Sequence, residues 1–134
     1  MSQESKINEI AYTMEVIKEQ IEDIEQRNQS LAQLLQDLTV TLDFLRNIGK
    51  VEGNSLIPIG RGLYVEAEIK NRERVLVNLG SGAYKKASIS DAIKIIEERK
   101  NDVTKAIEKN SNLEADLGRR YEELEEYLGT LYKK

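Results

Sequence analysis

Cysteine, histidine and tryptophan are absent from this 134-residue chain, which also has only one proline and one phenylalanine. Without cysteine and histidine there is no Cys-His or Ser-His-Asp nucleophile system, no soft or imidazole ligand for structural zinc, and no disulfide. Carboxylates are abundant, but on so charged a chain they are expected as solvated faces. We therefore expect no enzymatic activity and neither a metal nor another cofactor.

Long apolar runs are also missing. No stretch approaches the ~20 apolar residues of a membrane-spanning helix, and no signal-peptide core is present. The absence of cysteine fits a reducing compartment, so we expect a cytoplasmic protein without membrane contact. Its 24 acidic and 20 basic residues are mixed along the chain, whereas nucleic-acid binding needs a one-sided basic surface. We expect no nucleic-acid partner.

What the chain does have is a long heptad repeat near its beginning. Apolar residues lie alternately three and four apart from Ile7 to Leu45, and the single polar seam position is Asn28. Neither proline nor glycine interrupts this run before Gly49, which is placed as a C-terminal cap. The pattern predicts a helix of roughly 60 Å at ~1.5 Å per residue, which needs a partner helix to cover its seam.

A second heptad repeat runs from Ile93 to Leu131. Ser88 followed by Asp91 resembles a capping box at its start. The polar residues in this seam are Lys100, Asn110 and Glu114. The second helix is therefore less regular than the first.

The two repeats match in register if the chain folds back on itself. Seam residues whose numbers sum to 138 then face each other, from Leu45 with Ile93 outward, and Asn28 meets Asn110. Two amides can satisfy one another where either alone would be costly to bury. The alternative is that the match arises by chance, because any two heptad repeats align in some register. We favour an intramolecular antiparallel coiled coil.

The segment between the helices alternates with a period of two, which is typical of half-buried β-strands. The alternating apolar residues are Leu63, Val65, Ala67 and Ile69, then Val75, Val77 and Leu79. A short apolar run before them contains Pro58, which suits an edge strand or a bulge.

This segment also repeats itself. LIPIGRGLYVEAEI (56–69) aligns with LVNLGSGAYKKASI (76–89) at an offset of 20 residues, so that both copies contain Gly-x-Gly-x-Tyr. A dinucleotide-binding loop would need a third glycine where Lys85 stands, inside a parallel sheet. We therefore interpret each Gly-x-Gly as the bend of a β-hairpin. Isolated hairpins are marginally stable and their edges recruit further strands, so we expect this segment to drive assembly. The candidate assembly residues are Ile57, Ile59, Leu63, Tyr64, Val65, Ile69, Val75, Val77, Leu79 and Tyr84.

A doubled Gly-x-Gly-x-Tyr hairpin between two in-register heptads resembles the alpha-type subunit of prefoldin, over roughly residues 7–132. The resemblance implies an α+β fold in which a long antiparallel coiled coil carries two β-hairpins, and the hairpins join an oligomeric β-barrel. It implies a hexamer of two alpha-type and four beta-type subunits that captures unfolded proteins without ATP and passes them to a group II chaperonin. It divides the single domain (1–134) into a helix (1–49), hairpins (55–88) and a second helix (89–134).

In that family the coiled-coil ends hold the client. The corresponding candidate residues here are Ile7, Ile10, Tyr12, Met14, Val16, Tyr127, Leu128, Leu131 and Tyr132. Fraying of terminal heptads and the ordinary exposure of single aromatics would account for the same pattern without binding. The competing functional class is a coiled-coil scaffold or adaptor without chaperone activity, whose hairpins serve only to oligomerise.

Overall fold

The structure is a computed structural model that describes residues 2–133. In sequence order, two long helices flank two antiparallel hairpins, as the heptads and the period-two segment predict. In chain order the elements are α1 (Gln3–Asn47), a 3₁₀ turn (Ile48–Lys50), β1 (Asn54–Gly60), β2 (Leu63–Glu68), β3 (Arg74–Gly80), β4 (Ala83–Ser88) and α2 (Ile89–Tyr132). The predicted fold of two helices flanking two β-hairpins is confirmed.

The chain forms two compact units. Unit 1 contains Met1–Leu35 with Asp102–Lys134, and unit 2 contains Gln36–Asn101. In unit 1 two helical segments pack through their heptad seams, and the buried seam residues are Met14, Ile17, Ile24 and Leu131. The Asn110 amide donates a 3.1 Å hydrogen bond to the Asn28 side-chain oxygen. The register in which paired residue numbers sum to 138 is therefore confirmed at its polar layer.

Unit 2 combines the hairpins with the helix segments that flank them. Leu42, Leu45 and Ala92 are buried, and the guanidinium of Arg46 lies 2.9 Å from the Glu97 carboxylate in an exposed ion pair. Exposed pairs of this kind contribute little stability, about 0–1 kcal/mol. The apolar seam therefore holds these helix segments together.

The two hairpins have the same strand register. Ile57 pairs with Val65 in the first, and Val77 pairs with Lys85 in the second, each 20 positions later. Both registers shift by one residue just before the turn, after Pro58 and after Asn78. The bulge expected beside Pro58 is thus present in both copies. Each hairpin is a separate two-stranded sheet, so every strand is an edge strand.

Each turn places a non-glycine residue and then a glycine in the left-handed region. Arg61 and Gly62 have φ of 57° and 77°, and the equivalent Ser81 and Gly82 have φ of 51° and 76°. Positive φ at both central residues is what a two-residue type I′ hairpin turn requires. The Gly-x-Gly motif is architectural, as the repeat predicts.

Both ends of the second hairpin are tied to α2. The backbone N–H of Ile89 donates to the Glu73 carbonyl at 3.0 Å, and the Asp91 N–H donates to the Ser88 hydroxyl at 3.1 Å. Ser88 is therefore an N-cap of α2, as predicted, although the capping residue is also the last residue of β4.

Two local expectations were wrong. Gly49 lies inside the 3₁₀ turn and is absent from the glycines with positive φ, so it is not a left-handed cap; α1 ends at Asn47, whose amide donates to the Asp43 carbonyl at 2.7 Å. Ile69 lies after the end of β2 at Glu68, because the chain leaves the sheet there for the inter-hairpin loop.

Candidate functional site

The first hairpin exposes apolar side chains on both of its faces. Ile57 and Val65, which are paired across one face, are 36% and 43% exposed, and Tyr64 on the other face is 61% exposed. The strand β2, which was predicted to be half-buried, therefore exposes side chains on both of its faces in the single chain. The predicted assembly residues that are exposed here are Ile57, Ile59, Leu63, Tyr64, Val65, Leu79 and Tyr84.

The second hairpin differs because one of its faces is already covered. Val77 is only 7% exposed, Val75 is half-buried, and both line a cleft with Leu45, Ala92 and Ile96. The Arg99 guanidinium donates to the Asn78 carbonyl at 3.1 Å beside this contact. Val77 therefore belongs to the interior of its own chain. It has little surface left for a second subunit.

Sequence reasoning missed two exposed leucines at equivalent positions of the repeat. Leu56 and Leu76 are 66% and 65% exposed, and each occupies the face opposite to Ile57 or Val77. The signal was available in the offset of 20 residues, because in both copies the leucine is out of phase with the apolar residues that alternate along the same strand. A strand that is apolar on both faces indicates burial on both faces in an assembly.

At the terminal end of unit 1 the predicted client-binding residues separate into three groups by exposure. Tyr12, Tyr127 and Tyr132 are exposed, whereas Met14 and Leu131 are buried in the seam. The remaining members, Ile7, Ile10, Val16 and Leu128, are half-buried. A ligand at this end would meet the three tyrosines first, and it would reach Met14 and Leu131 only if the helices part.

The middle of unit 1 contains a polar cluster in which each amide has a partner. Besides accepting from Asn110, Asn28 donates to the Ser111 hydroxyl at 3.4 Å. One turn further along α2, a hydrogen bond with Glu25 raises the pKa of the half-buried Glu114 carboxyl above its ordinary value. Burial and the charge of Glu25 act in the same direction. Two hydrogen-bonded carboxyl groups share a proton more readily than they carry two charges.

Residues 2–133 contain no group of three or more metal-ligating side chains placed to hold an ion. Among the same residues, no helix is both long and apolar enough to cross a lipid bilayer.

Comparison with known proteins matches these features to one family. The prefoldin subunit family model matches residues 4–134. Prefoldin subunit alpha of Pyrobaculum aerophilum is 31% identical, over 84% of this chain and 79% of the relative. Prefoldin subunit alpha of Nitrosopumilus maritimus is 26% identical, over 92% and 85%. A chain of filamentous PFD from Methanocaldococcus jannaschii has the same fold, with a TM-score of 0.75, 20% identity, and coverage of 85% of this chain and 96% of that one. The chain belongs to the prefoldin family of chaperone subunits and is of the alpha type.

Proposed function

We propose that this chain is the alpha-type subunit of a cytoplasmic, ATP-independent holdase that captures unfolded proteins at the terminal end of its coiled coil. The observation that carries the proposal is the exposure of Tyr12, Tyr127 and Tyr132 at the end of unit 1. Aromatic side chains offer a large apolar area with a polar edge, which suits contact with many different unfolded segments. Single exposed aromatics are ordinary; three on one short section of a highly charged helix pair favour a contact surface.

The partners we propose are four beta-type subunits for every two alpha-type subunits, and a group II chaperonin that receives the client. The hairpins support assembly on physical grounds, since their strands have unpaired edges and their apolar faces are exposed. Uncovered edges and faces of this kind recruit further strands. Closing the strands into a β-barrel would remove every edge and cover one face.

Co-expression with a beta-type subunit tests the assembly. The expected product is a heterohexamer, measured by native mass spectrometry or sedimentation equilibrium. A homodimer that ignores the beta-type subunit would instead favour the scaffold alternative, in which the hairpins only join copies of one chain.

Client binding is tested in the assembled complex by changing Tyr12, Tyr127 and Tyr132 together to Ser. We expect the hexamer to persist and the suppression of aggregation of an unfolded test protein to fall severalfold. The matched control changes Val40, Phe44 and Leu113 to Ser, because these residues are 62%, 45% and 49% exposed on the same helices but lie away from the terminal end.

The two variants separate the competing functions. A holdase that uses its terminal end loses activity with the tyrosine variant and keeps it with the control. A scaffold suppresses aggregation in neither form, although both assemble. Equal loss in both variants would mean that exposed apolar area anywhere on the helices is sufficient, and would overturn the assignment of the site.

A further inference from the structure

The terminal end of unit 1 has an unusual charge distribution. Residues 7–17 and 121–132 face each other in the confirmed register, and together they contain six glutamates and no lysine or arginine. The glutamates are Glu9, Glu15, Glu122, Glu123, Glu125 and Glu126. Elsewhere in the chain acidic and basic residues are interspersed. We call these two segments the acidic end section.

These carboxylates are exposed, and none of them forms an ion pair with another residue of the range 2–133. Ion pairs join Arg27 to Asp23, Arg46 to Glu97 and Arg119 to Asp116, and each of these three lies outside the acidic end section. All six glutamate side chains are exposed. Their negative potential is therefore directed into the solvent.

The same section carries the three exposed tyrosines. Tyr12, Tyr127 and Tyr132 are 72%, 47% and 69% exposed, and Glu123 lies one helical turn before Tyr127, on the same side of α2. An aromatic face attracts a guanidinium or ammonium group held above it, and a nearby carboxylate strengthens this attraction. The apolar side chains beside the tyrosines can pack against the apolar residues of a bound unfolded segment.

Resting on the proposed holdase function, we propose that the acidic end section selects clients by charge, and that it binds unfolded segments in which lysine or arginine alternates with apolar residues. The tyrosines provide the apolar and cation–π contact, and the glutamates provide the complementary charge. An acidic unfolded segment of the same hydrophobicity meets six like charges and binds more weakly. Complementary fields of this type act mainly on selectivity and on the rate of encounter.

The test compares one unfolded chain in two charge states. The probe is fluorescently labelled lysozyme that has been reduced and carbamidomethylated, which is strongly basic, and the same chain after succinylation of its lysines. Binding to the complete complex with beta-type subunits is measured by fluorescence anisotropy at low and at high ionic strength. We expect roughly 10-fold tighter binding of the basic form at low salt, and a smaller ratio at ~0.5 M salt because the Debye length then falls to about 4 Å.

A charge-matched pair of variants assigns the effect to this chain. The test variant changes Glu122, Glu123 and Glu126 to Gln. The control changes Glu98→Gln, Asp102→Asn and Glu108→Gln, three exposed acidic residues that lie outside the section and outside the ion pairs named above. We expect the test variant to bind the basic chain about 3- to 10-fold more weakly and to discriminate less against the succinylated chain. The control is expected to behave as the unmodified complex.

The possible failures are distinguishable. Equal affinity for the two charge states, or equal loss in the test and control variants, overturns the charge selection and leaves the holdase function standing. A complex that binds neither form and suppresses no aggregation overturns both proposals.

Discussion

Asn28 and Asn110 form a hydrogen-bonded pair across the helix seam, with 3.1 Å between the donating amide nitrogen and the accepting oxygen. They lie 82 residues apart in sequence, and each is the only asparagine in its seam. An amide pair in a mainly apolar seam costs stability compared with two leucines, but it penalises every register in which the amides do not meet.

Replacing one member of this pair should be more harmful than replacing both. We expect Asn28→Leu or Asn110→Leu alone to lower the free energy of unfolding by about 1 kcal/mol, because the remaining amide is left without its partner. The double Leu variant should recover this loss or exceed the stability of the unmodified chain. Thermal melts followed by circular dichroism measure the stability of the two single variants and of the double variant relative to the unmodified chain. Strictly additive effects would mean that the pair is not coupled.

A Gly→Ala substitution should change the free energy of unfolding in opposite directions in a hairpin turn and in a helix. Beyond its chain neighbours and its own helix backbone, a Cβ at Gly62 or at Gly129 would meet no described atom within 4 Å, so a steric clash with other parts of the chain does not decide the outcome. Gly62 has φ of 77°, and Gly62→Ala should therefore lower the unfolding free energy by about 1–2 kcal/mol. Gly129 lies within α2, and Gly129→Ala should raise it by about 0.5–1 kcal/mol. Chemical denaturation of both variants measures the difference. The same sign for both would contradict the turn assignment.

Two neighbouring residues of β3 separate folding from assembly. Val77 is 7% exposed and Leu76 is 65% exposed. Val77→Lys places a charge in the interior of unit 2 and should cost several kcal/mol of folding free energy, which would show as a lower melting temperature. Leu76→Lys should leave the melting temperature of the isolated chain nearly unchanged while it weakens the hexamer in sedimentation velocity. If the Leu76→Lys variant forms a normal hexamer, this face of β3 is not part of the assembly surface.

The contrast between these two residues shows where sequence reasoning ends. Heptad spacing determines which residues of a helix face a partner, and register follows once a distinctive pair such as Asn28 and Asn110 can be matched. The offset of 20 residues likewise predicts two equal hairpins with their bends at equivalent glycines. Alternation alone, however, does not reveal which face of a strand is covered by its own chain. Val77 and its equivalent Ile57 have the same pattern but differ in burial: Val77 lines a cleft with helix residues such as Ala92, whereas Ile57 is 36% exposed.

The contact between the Glu25 and Glu114 carboxyl groups also could not be predicted from the heptad pattern. Glu114 is visible in the sequence as a polar seam residue, but Glu25 lies beside the seam, and the heptad gives no reason to join them. Their contact depends on side-chain conformations across the two helices. The resulting rise in the pKa of Glu114 has a consequence for stability with a definite sign.

A carboxyl group whose pKa is higher in the folded chain than in the unfolded chain binds its proton preferentially when folded. Its stabilising contribution is complete below the ordinary value of 4.5 and is lost as the pH rises through the raised pKa of the folded state. This sign is opposite to that of a carboxylate held in a salt bridge. As the pH rises through that raised pKa, Glu114 gains a charge that the charge of Glu25 opposes. Lys18 lines a groove together with Glu22, Glu25 and Tyr121.

Glu114→Gln should therefore raise the melting temperature at about pH 7, because the amide can donate to Glu25 without carrying a charge. The advantage should shrink as the pH falls towards 4.5, since the unmodified Glu114 then takes up a proton and donates in the same way. Glu108→Gln is the control, because it removes an exposed carboxylate from the same helix. Melting temperatures followed by circular dichroism, at half-unit steps from about pH 7 to 4.5, give the difference between each variant and the unmodified chain. If the Glu114→Gln difference stays constant over this range, or grows as the pH falls, the two carboxyl groups do not share a proton in the folded chain.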